Sequence, residues 1–307
     1  MKNIACFDIG GTFIKYGVLD MEGNIIFKHK FPSPVEECKK QIPLEISKRI
    51  KELLNKYDIF AVGISTAGKV DCDNGEVIFA SENLPDYTGA KLSRDIKMLT
   101  GLDCFIENDV NAAALGEYWK GAGKDIDNFV CVTLGTGIGA AIIINGKLYK
   151  GIKDGSGELG HMIINEDGED CNCGWKGCYE RYASTAALVR SYETIANLPS
   201  GTVTGKDIID KVRCKDQLAT EVYNKFLNHV VTGIINITHI LDPGLIVIGG
   251  GISESGNLFF QEVNNIFMKL VMPSYGEYTR IVQAKLGNDA GLVGACYTVL
   301  SKLNYIK

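Results

Sequence analysis

Two stretches of this chain, DIGGTFIKYGV at residues 8–18 and LGTGIGAAIII at residues 134–144, share one plan. Each runs from an apolar strand through a glycine–threonine turn into a second apolar strand. The turn at 135–139 is neither a Walker A loop, since no Gly-Lys-Ser/Thr follows, nor a dinucleotide fingerprint, since a strand rather than a helix follows. The plan instead predicts a hairpin whose turn can bring bare backbone against a ligand. Its double occurrence is a weak internal repeat and points to two related lobes.

The surrounding pattern extends both units. Residues 3–9, 13–20 and 25–31 read as an antiparallel meander, and residues 128–134 and 140–145 begin a second one, which turns at Asn145-Gly146. A helix is expected over about 42–57, with Ile46, Ile50, Leu53, Leu54 and Tyr57 on one face and Pro43 in its first turn. A buried strand at 60–66, a short helix near 91–100, a strand at 104–108 and a helix over about 110–120 follow. The remainder is mostly helical, with a long helix at about 216–241, a strand at 245–249 and a final helix at about 290–304. Strands and helices mixed in this order indicate an α/β protein. At 307 residues the chain is long enough to divide. The expected lobes are residues 1–109, completed by about 290–307, and residues 110–289.

Composition narrows the function. Hydrophobic residues make up 46% and charged residues 22%, as in an ordinary globular protein. A net charge of −5 argues against a nucleic-acid partner or an anionic membrane surface. Neither a membrane-spanning run nor a signal-peptide pattern is present, so a cytoplasmic location is expected. In a reducing compartment ten cysteines are not read as disulfides. Seven are scattered, at 6, 38, 72, 104, 131, 214 and 296, and read as packing residues.

The turns carry the chemistry. In Asp8-Ile9-Gly10-Gly11-Thr12 an acid ends a strand, two glycines expose backbone N–H groups, and a hydroxyl follows. Asp8 is suited to hold Mg²⁺ through water, and Gly10, Gly11 and Thr12 to meet a phosphate. Alone, the same residues could make a plain hairpin turn. Gly135, Thr136 and Gly137 repeat the arrangement, and Gly249, Gly250 and Gly251 end a third apolar strand where an adenine could pack against backbone. Together the three turns favour a nucleotide site. Asp109 stands before a helix, where it is a candidate N-cap or a general base for a hydroxyl attacking a γ-phosphate.

At this point the residues match a family. DIGGT at 8–12, ENDVNAAALGE at 107–117, GTGIG at 135–139, GELGH at 157–161 and CNCGWKGCYE at 171–180 resemble the ROK family of sugar kinases and sugar-responsive repressors, across essentially the whole chain. The resemblance implies the actin-like ATPase fold of hexokinases, with two lobes around a cleft. It implies ATP phosphates on the 10–12 and 135–137 turns, adenosine at 249–251, and Asp109 as catalytic base toward the 6-hydroxyl of a hexose. Gly68, Asn83, Asn108, Asp109, Glu158, His161 and Glu180 match positions that line the sugar site, and amides and carboxylates suit a ring of hydroxyls. A homodimer is implied as well. One departure stands out: many members carry Pro-Gly where this chain reads Ser65-Thr66-Ala67-Gly68. That loop resembles some N-acetylmannosamine kinases and some β-glucoside kinases, whereas Glu158 is typical of glucokinases. Fructokinases belong to the same family.

His161, Cys171, Cys173 and Cys178 supply one imidazole and three thiolates, a set suited to tetrahedral Zn²⁺. Reduced cysteines in a polar loop are the alternative. Four protein ligands leave no open position, so such a zinc would be structural, clamping the loop that carries the sugar residues. A sugar-sensing regulator reading DNA is the rival function. It needs a helix-turn-helix module, for which the first strand, starting by residue 3, leaves no room. An actin-like filament or chaperone ATPase shares the turns but does not explain the sugar residues.

Overall fold

The computed structural model describes residues 2–81 and 83–306, apart from the side chains of 254 and 255. The chain forms two compact units. The first comprises residues up to 126, 146–156 and from 285 onward; the second comprises 127–145 and 157–284.

In the first unit, β1 (Asn3–Ile9), β2 (Phe13–Leu19) and β3 (Ile25–Pro32) form the expected meander. Helix α1 (Cys38–Leu54) leads to β4 (Ile59–Thr66), which pairs parallel to β1. A small hairpin, β5 (Lys69–Asp71) and β6 (Glu76–Phe79), precedes α2 (Leu92–Thr100), β7 (Asp103–Asn108) and α3 (Asp109–Lys120). The sheet order is β3-β2-β1-β4-β7. Strand β1 is buried on both faces, because alternate side chains enter different cores. Ala5, Phe7 and Ile9 pack with Ile42, Ile46 and Ile50 of α1, whereas Ile4 and Cys6 pack with residues of the C-terminal helix.

The second unit repeats the plan. Strands β8 (Phe129–Leu134) and β9 (Ile138–Ile144) pair antiparallel, and the short β10 (Lys147–Leu148), in the 146–156 stretch counted with the first unit, follows the Asn145-Gly146 turn and extends this sheet. Both turn residues have positive φ, 52° and 70°, as a two-residue hairpin requires. After β10 come α4 (Glu180–Ala183), α5 (Thr185–Ile195), α6 (Gly205–Arg213) and α7 (Gln217–Leu241). Then come β11 (Leu245–Gly249), α8 (Asn257–Leu270), α9 (Pro273–Gly276) and β12 (Arg280–Gln283). The order β10-β9-β8-β11-β12, antiparallel on one side and parallel on the other, matches the first sheet. The faint sequence repeat is therefore a repeat of topology.

Helix α10 (Ala290–Lys302) is buried along most of its length in the first unit. It lies close against α3: a side chain at Gly116 would meet the Ala290 carbonyl, and one at Gly294 the Ala112 carbonyl. This packing keeps α3 with the first unit, although the sequence reading began the second lobe at residue 110. Helix α1 also differs from expectation. It starts at Cys38, so Pro43 lies inside it, beyond the first turn. Proline there removes one backbone donor, and the Pro43 carbonyl is in turn capped by Ser47 Oγ at 2.7 Å. Strand β9 begins at Ile138, two residues before the expected start.

Candidate functional site

The first unit gathers its acids where strands end. Asp8 lies near the end of β1; its Oδ1 accepts from Ser65 Oγ at 2.8 Å and its Oδ2 from Lys15 Nζ at 3.1 Å. The turn after it is stitched by Ser33, which donates through Oγ to the Gly10 carbonyl at 2.6 Å and through N–H to the Thr12 carbonyl at 3.0 Å. A Cβ on Gly11 would come within 3.1 Å of Asn83 Cβ, so the glycine turn and Asn83 are neighbours.

At the β7–α3 corner, Asn108 rather than Asp109 is the N-cap. Its Oδ1 accepts from Val110 N–H at 3.0 Å and Asn111 N–H at 3.1 Å. Its Nδ2 donates to the Gly68 carbonyl and to Asp109 Oδ1, both at 2.9 Å. Capping is thus done by the neighbour, and Asp109 opens the helix. Burial pushes the Asp109 carboxyl up to about 6, and the nearby Asp8 carboxylate pushes the same way, against the Val110 N–H and Asn108 amide that favour its charge.

Sequence reasoning passed over Glu107, which is 2% exposed. Its Oε1 accepts from the Asn108 N–H and the Asn111 amide, both at 3.1 Å, and from the Cys72 thiol at 3.3 Å. Lys150 Nζ reaches Oε2 at 2.7 Å. This buried carboxylate fixes the residues on either side of Asp109. A Glu directly before Asn-Asp in a buried strand was the available signal. Cys72 is therefore more than filler; burial and Glu107 push its thiol up to about 12.

The second unit gathers the remaining residues. The Gly135–Gly137 turn closes on itself through Gly135 N–H to the Gly137 carbonyl, 3.0 Å. Ile138 N–H donates to Glu180 Oε2 at 3.4 Å, which puts Glu180 against this turn. Gly250 has φ 89° and lies against the β8 terminus, where any side chain would strike Leu134. Thr136, Gly250 and Gly251 are exposed, and Gly249 is buried at the end of β11. In GELGH, Gly157 and Gly160 press against the Ala140 and Ile138 carbonyls of β9, leaving Glu158 and His161 exposed on the outer side.

His161 turns Nδ1 toward the thiols and Nε2 toward Glu158: Nδ1 is 3.7 Å from Cys171 Sγ, and Nε2 is 3.9 Å from Glu158 Oε2. Cys173 and Cys178 sulfurs are 3.5 Å apart, and all four donor atoms lie within 4.8 Å of one another. Sulfurs ~2.3 Å from a tetrahedral zinc would be ~3.8 Å apart, so the donor set fits that ion. Burial and the crowding of sulfurs push the Cys178 thiol up to about 12 and raise Cys171, while the Trp175 backbone N–H lowers Cys173. Glu180 Oε1 also accepts from Cys171 Sγ at 3.4 Å, linking the cluster to a predicted sugar ligand. The other seven cysteines are unbridged, and all but Cys214 are buried.

The two topologically matching sheets with their helices have the actin-like ATPase fold of the hexokinase type. The ROK family model matches residues 4–302, and the chain belongs to the ROK family. It is 33% identical to a glucokinase of Thermotoga maritima over 309 residues, 96% of each chain. It is 30% identical to the xylose repressor of Bacillus spizizenii, over 95% of this chain and 76% of that protein. Among solved structures, a ROK family glucokinase from Streptomyces griseus in complex with glucose and AMPPNP superposes with a TM-score of 0.82 at 34% identity, covering 96% of this chain and 98% of that one. Among the described residues, no helix is long and apolar enough to cross a membrane.

Proposed function

We propose that this chain transfers the γ-phosphate of ATP to the 6-hydroxyl of a hexose or N-acetylhexosamine, with Asp109 as the base. The observation that carries the reading is the Asp109 carboxyl, raised to about 6 although it opens a helix and accepts hydrogen bonds. The donors at the helix start lower it, so the rise comes from burial and from the Asp8 carboxylate beside it, a setting that suits a general base. A carboxylate titrating near 6 is ionised at neutral pH and still basic enough to take a hydroxyl proton.

In this reaction Asp109 accepts the proton of the sugar hydroxyl as its oxygen attacks the γ-phosphorus. The bond from that phosphorus to the β–γ bridging oxygen breaks, and ADP leaves. Gly11, Thr12, Thr136 and Gly137 offer backbone N–H groups and hydroxyls to phosphate oxygens, Gly10 and Gly135, whose own N–H groups close their turns on the Phe13 and Gly137 carbonyls, keep the backbone bare for that approach, and the glycines at 249–251 leave room for adenosine. Asp8 would hold Mg²⁺ through water, which supplies charge neutralisation at the phosphates. Gly68, Asn83, Asn108, Glu158, His161 and Glu180 orient the sugar. His161 through Nδ1, with Cys171, Cys173 and Cys178, would hold a structural Zn²⁺, leaving Nε2 for a sugar hydroxyl. A cytoplasmic homodimer is part of the same proposal.

The test is ADP release across a panel of glucose, N-acetylmannosamine, N-acetylglucosamine, mannose, fructose and β-glucosides. One sugar should give ADP and sugar 6-phosphate in equal amounts. No turnover with any of them, together with a shifted DNA band in a gel assay, would replace the kinase by a sugar-sensing regulator.

A further inference from the structure

The second unit holds a cavity of about 430 Å³, lined by none of the residues assigned above to sugar, phosphate or zinc. Helices α4, α5 and α7 wall it, together with Glu169 from the cysteine loop. Arg181, Arg190 and Lys225 line it against the single carboxylate of Glu169, an excess of cations in a chain whose net charge is −5.

The cations are incompletely used. Arg190 Nη2 at 2.8 Å and Arg181 Nη2 at 3.3 Å both donate to one oxygen, Glu169 Oε2. Arg181 Nε is buried with no hydrogen-bond partner, a donor lacking its acceptor. Lys225 meets only Glu221, an exposed pair one helical turn away and easily exchanged. Tyr182 accepts the Glu169 N–H at 2.6 Å, which leaves its phenol proton to donate. His229, its ring 5.1 Å from that of Tyr182, is held toward the neutral form by burial. Leu188, Val222 and Phe226 add an apolar wall. Forked guanidiniums beside an ammonium and an apolar surface suit a phosphate group on a small carbon skeleton.

We propose that this cavity binds a small organic phosphate, whose dianion takes the place of the Glu169 carboxylate between Arg181 and Arg190 and reaches Lys225. Glu169 lies two residues before Cys171, and its carbonyl accepts from Gly177 N–H at 2.8 Å; Arg181 directly follows Glu180. Occupancy therefore shifts the cysteine loop and Glu180, and with them sugar affinity, a consequence that rests on the function proposed above.

Calorimetry on protein saturated with AMPPNP, which occupies the nucleotide's own phosphate positions, tests the site. Glycerol 3-phosphate is the probe, with inorganic phosphate as a second arm that separates the organic ligand from the free ion. One equivalent of glycerol 3-phosphate should bind, more tightly than phosphate. Arg190→Gln and the surface change Lys225→Gln should each weaken it at least tenfold, with AMPPNP affinity unchanged. Absence of binding, or equal binding in the Lys225→Gln protein, overturns the proposal. Binding of phosphate alone reduces the site to one for the free ion and overturns the organic ligand. Because this readout needs no turnover, a failed sugar panel would sink the kinase reading and leave the cavity's ligand standing.

Discussion

The candidate site carboxylates of the first unit sit where a strand ends or a long helix begins, whereas in the second unit Glu158 lies on a long irregular loop and Glu180 stands where that loop enters the four-residue α4. Asp8 is carried by β1 and Asp109 by the first turn of α3, and Glu107 inside β7 fixes the corner between them. From the end of β10 at Leu148 to the start of α4 at Glu180, the only regular element is a helical turn at Leu159–His161. There, two isolated bridges, Ile163 to Cys178 and Asp170 to Lys176, do what a ladder does elsewhere. The first arrangement is held by backbone pairing and one buried ion pair. The second brings four potential metal-donor atoms within 4.8 Å of one another, held by turns and bridges and not by a ladder. Reacting groups need fixed geometry at the moment of transfer, and the sheet supplies it; groups that only bind can be held by a clamp.

The largest expected effect breaks the first region at its base. Asp109→Asn keeps the shape and its hydrogen-bonding oxygen but cannot take a proton. Turnover should fall by ~10²–10⁴, with sugar affinity nearly constant. Steady-state kinetics with a calorimetric sugar titration separates the two, and near-normal kcat would remove Asp109 from the mechanism.

Next comes the ion pair beneath it. Lys150→Met strands the Glu107 carboxylate, which is 3% exposed at its side chain, without its counter-charge. Loss of one partner of a buried pair costs about 3–5 kcal/mol, and the lower end is expected because Lys150 is itself 29% exposed. Urea unfolding at pH 7.5 measures it. A loss below about 1 kcal/mol, the range of a surface pair, would mean the corner stands without this bond.

The second region should break differently. Cys173→Ser removes one thiolate; zinc content should drop from about one per chain, and the sugar KM should rise ~10–100-fold with less change in kcat. Elemental analysis and kinetics on protein purified without chelators decide it. Zinc-free protein with an unchanged KM would erase the contrast between a clamped and a self-supporting region.

How much of this was legible in the sequence follows the same division. The glycine turns, the strands around them and the Asn145-Gly146 hairpin were readable, because strand alternation and turn chemistry are local. The four candidate metal donors were readable from residue type, although their meeting depends on backbone bridges that no periodicity announces. Helices α5, α6 and α8 were merged into a mostly helical tail, although Ser184 caps the start of α5 and the Thr204–Asp207 capping box opens α6, local signals that were available and not used. Glu107 escaped notice since its role lies in contacts to Cys72 and Lys150, distant in sequence. The capping role went to Asn108 because its extended backbone, φ −61° and ψ 149°, points its side chain at the first free N–H groups.

The smallest effect sharpens the comparison by making the base itself a source of instability. An ordinary aspartate titrates at ~3.9 in the unfolded chain, whereas burial and Asp8 raise Asp109 to about 6 in the folded one. Between those values the folded state binds its proton more tightly, so the carboxyl's contribution is fully present below about pH 4 and is lost as pH rises through about 6. Above that, the folded protein holds a charge it would sooner shed. Asp109→Asn removes the charge and should raise stability by ~1–3 kcal/mol at pH 7.5, with almost no gain at pH 4. Urea unfolding at the two pH values gives both numbers. A gain that is equal at both would trace the effect to packing, while a loss at pH 7.5 would mean that the ionised carboxylate supports the α3 terminus and is no strained base.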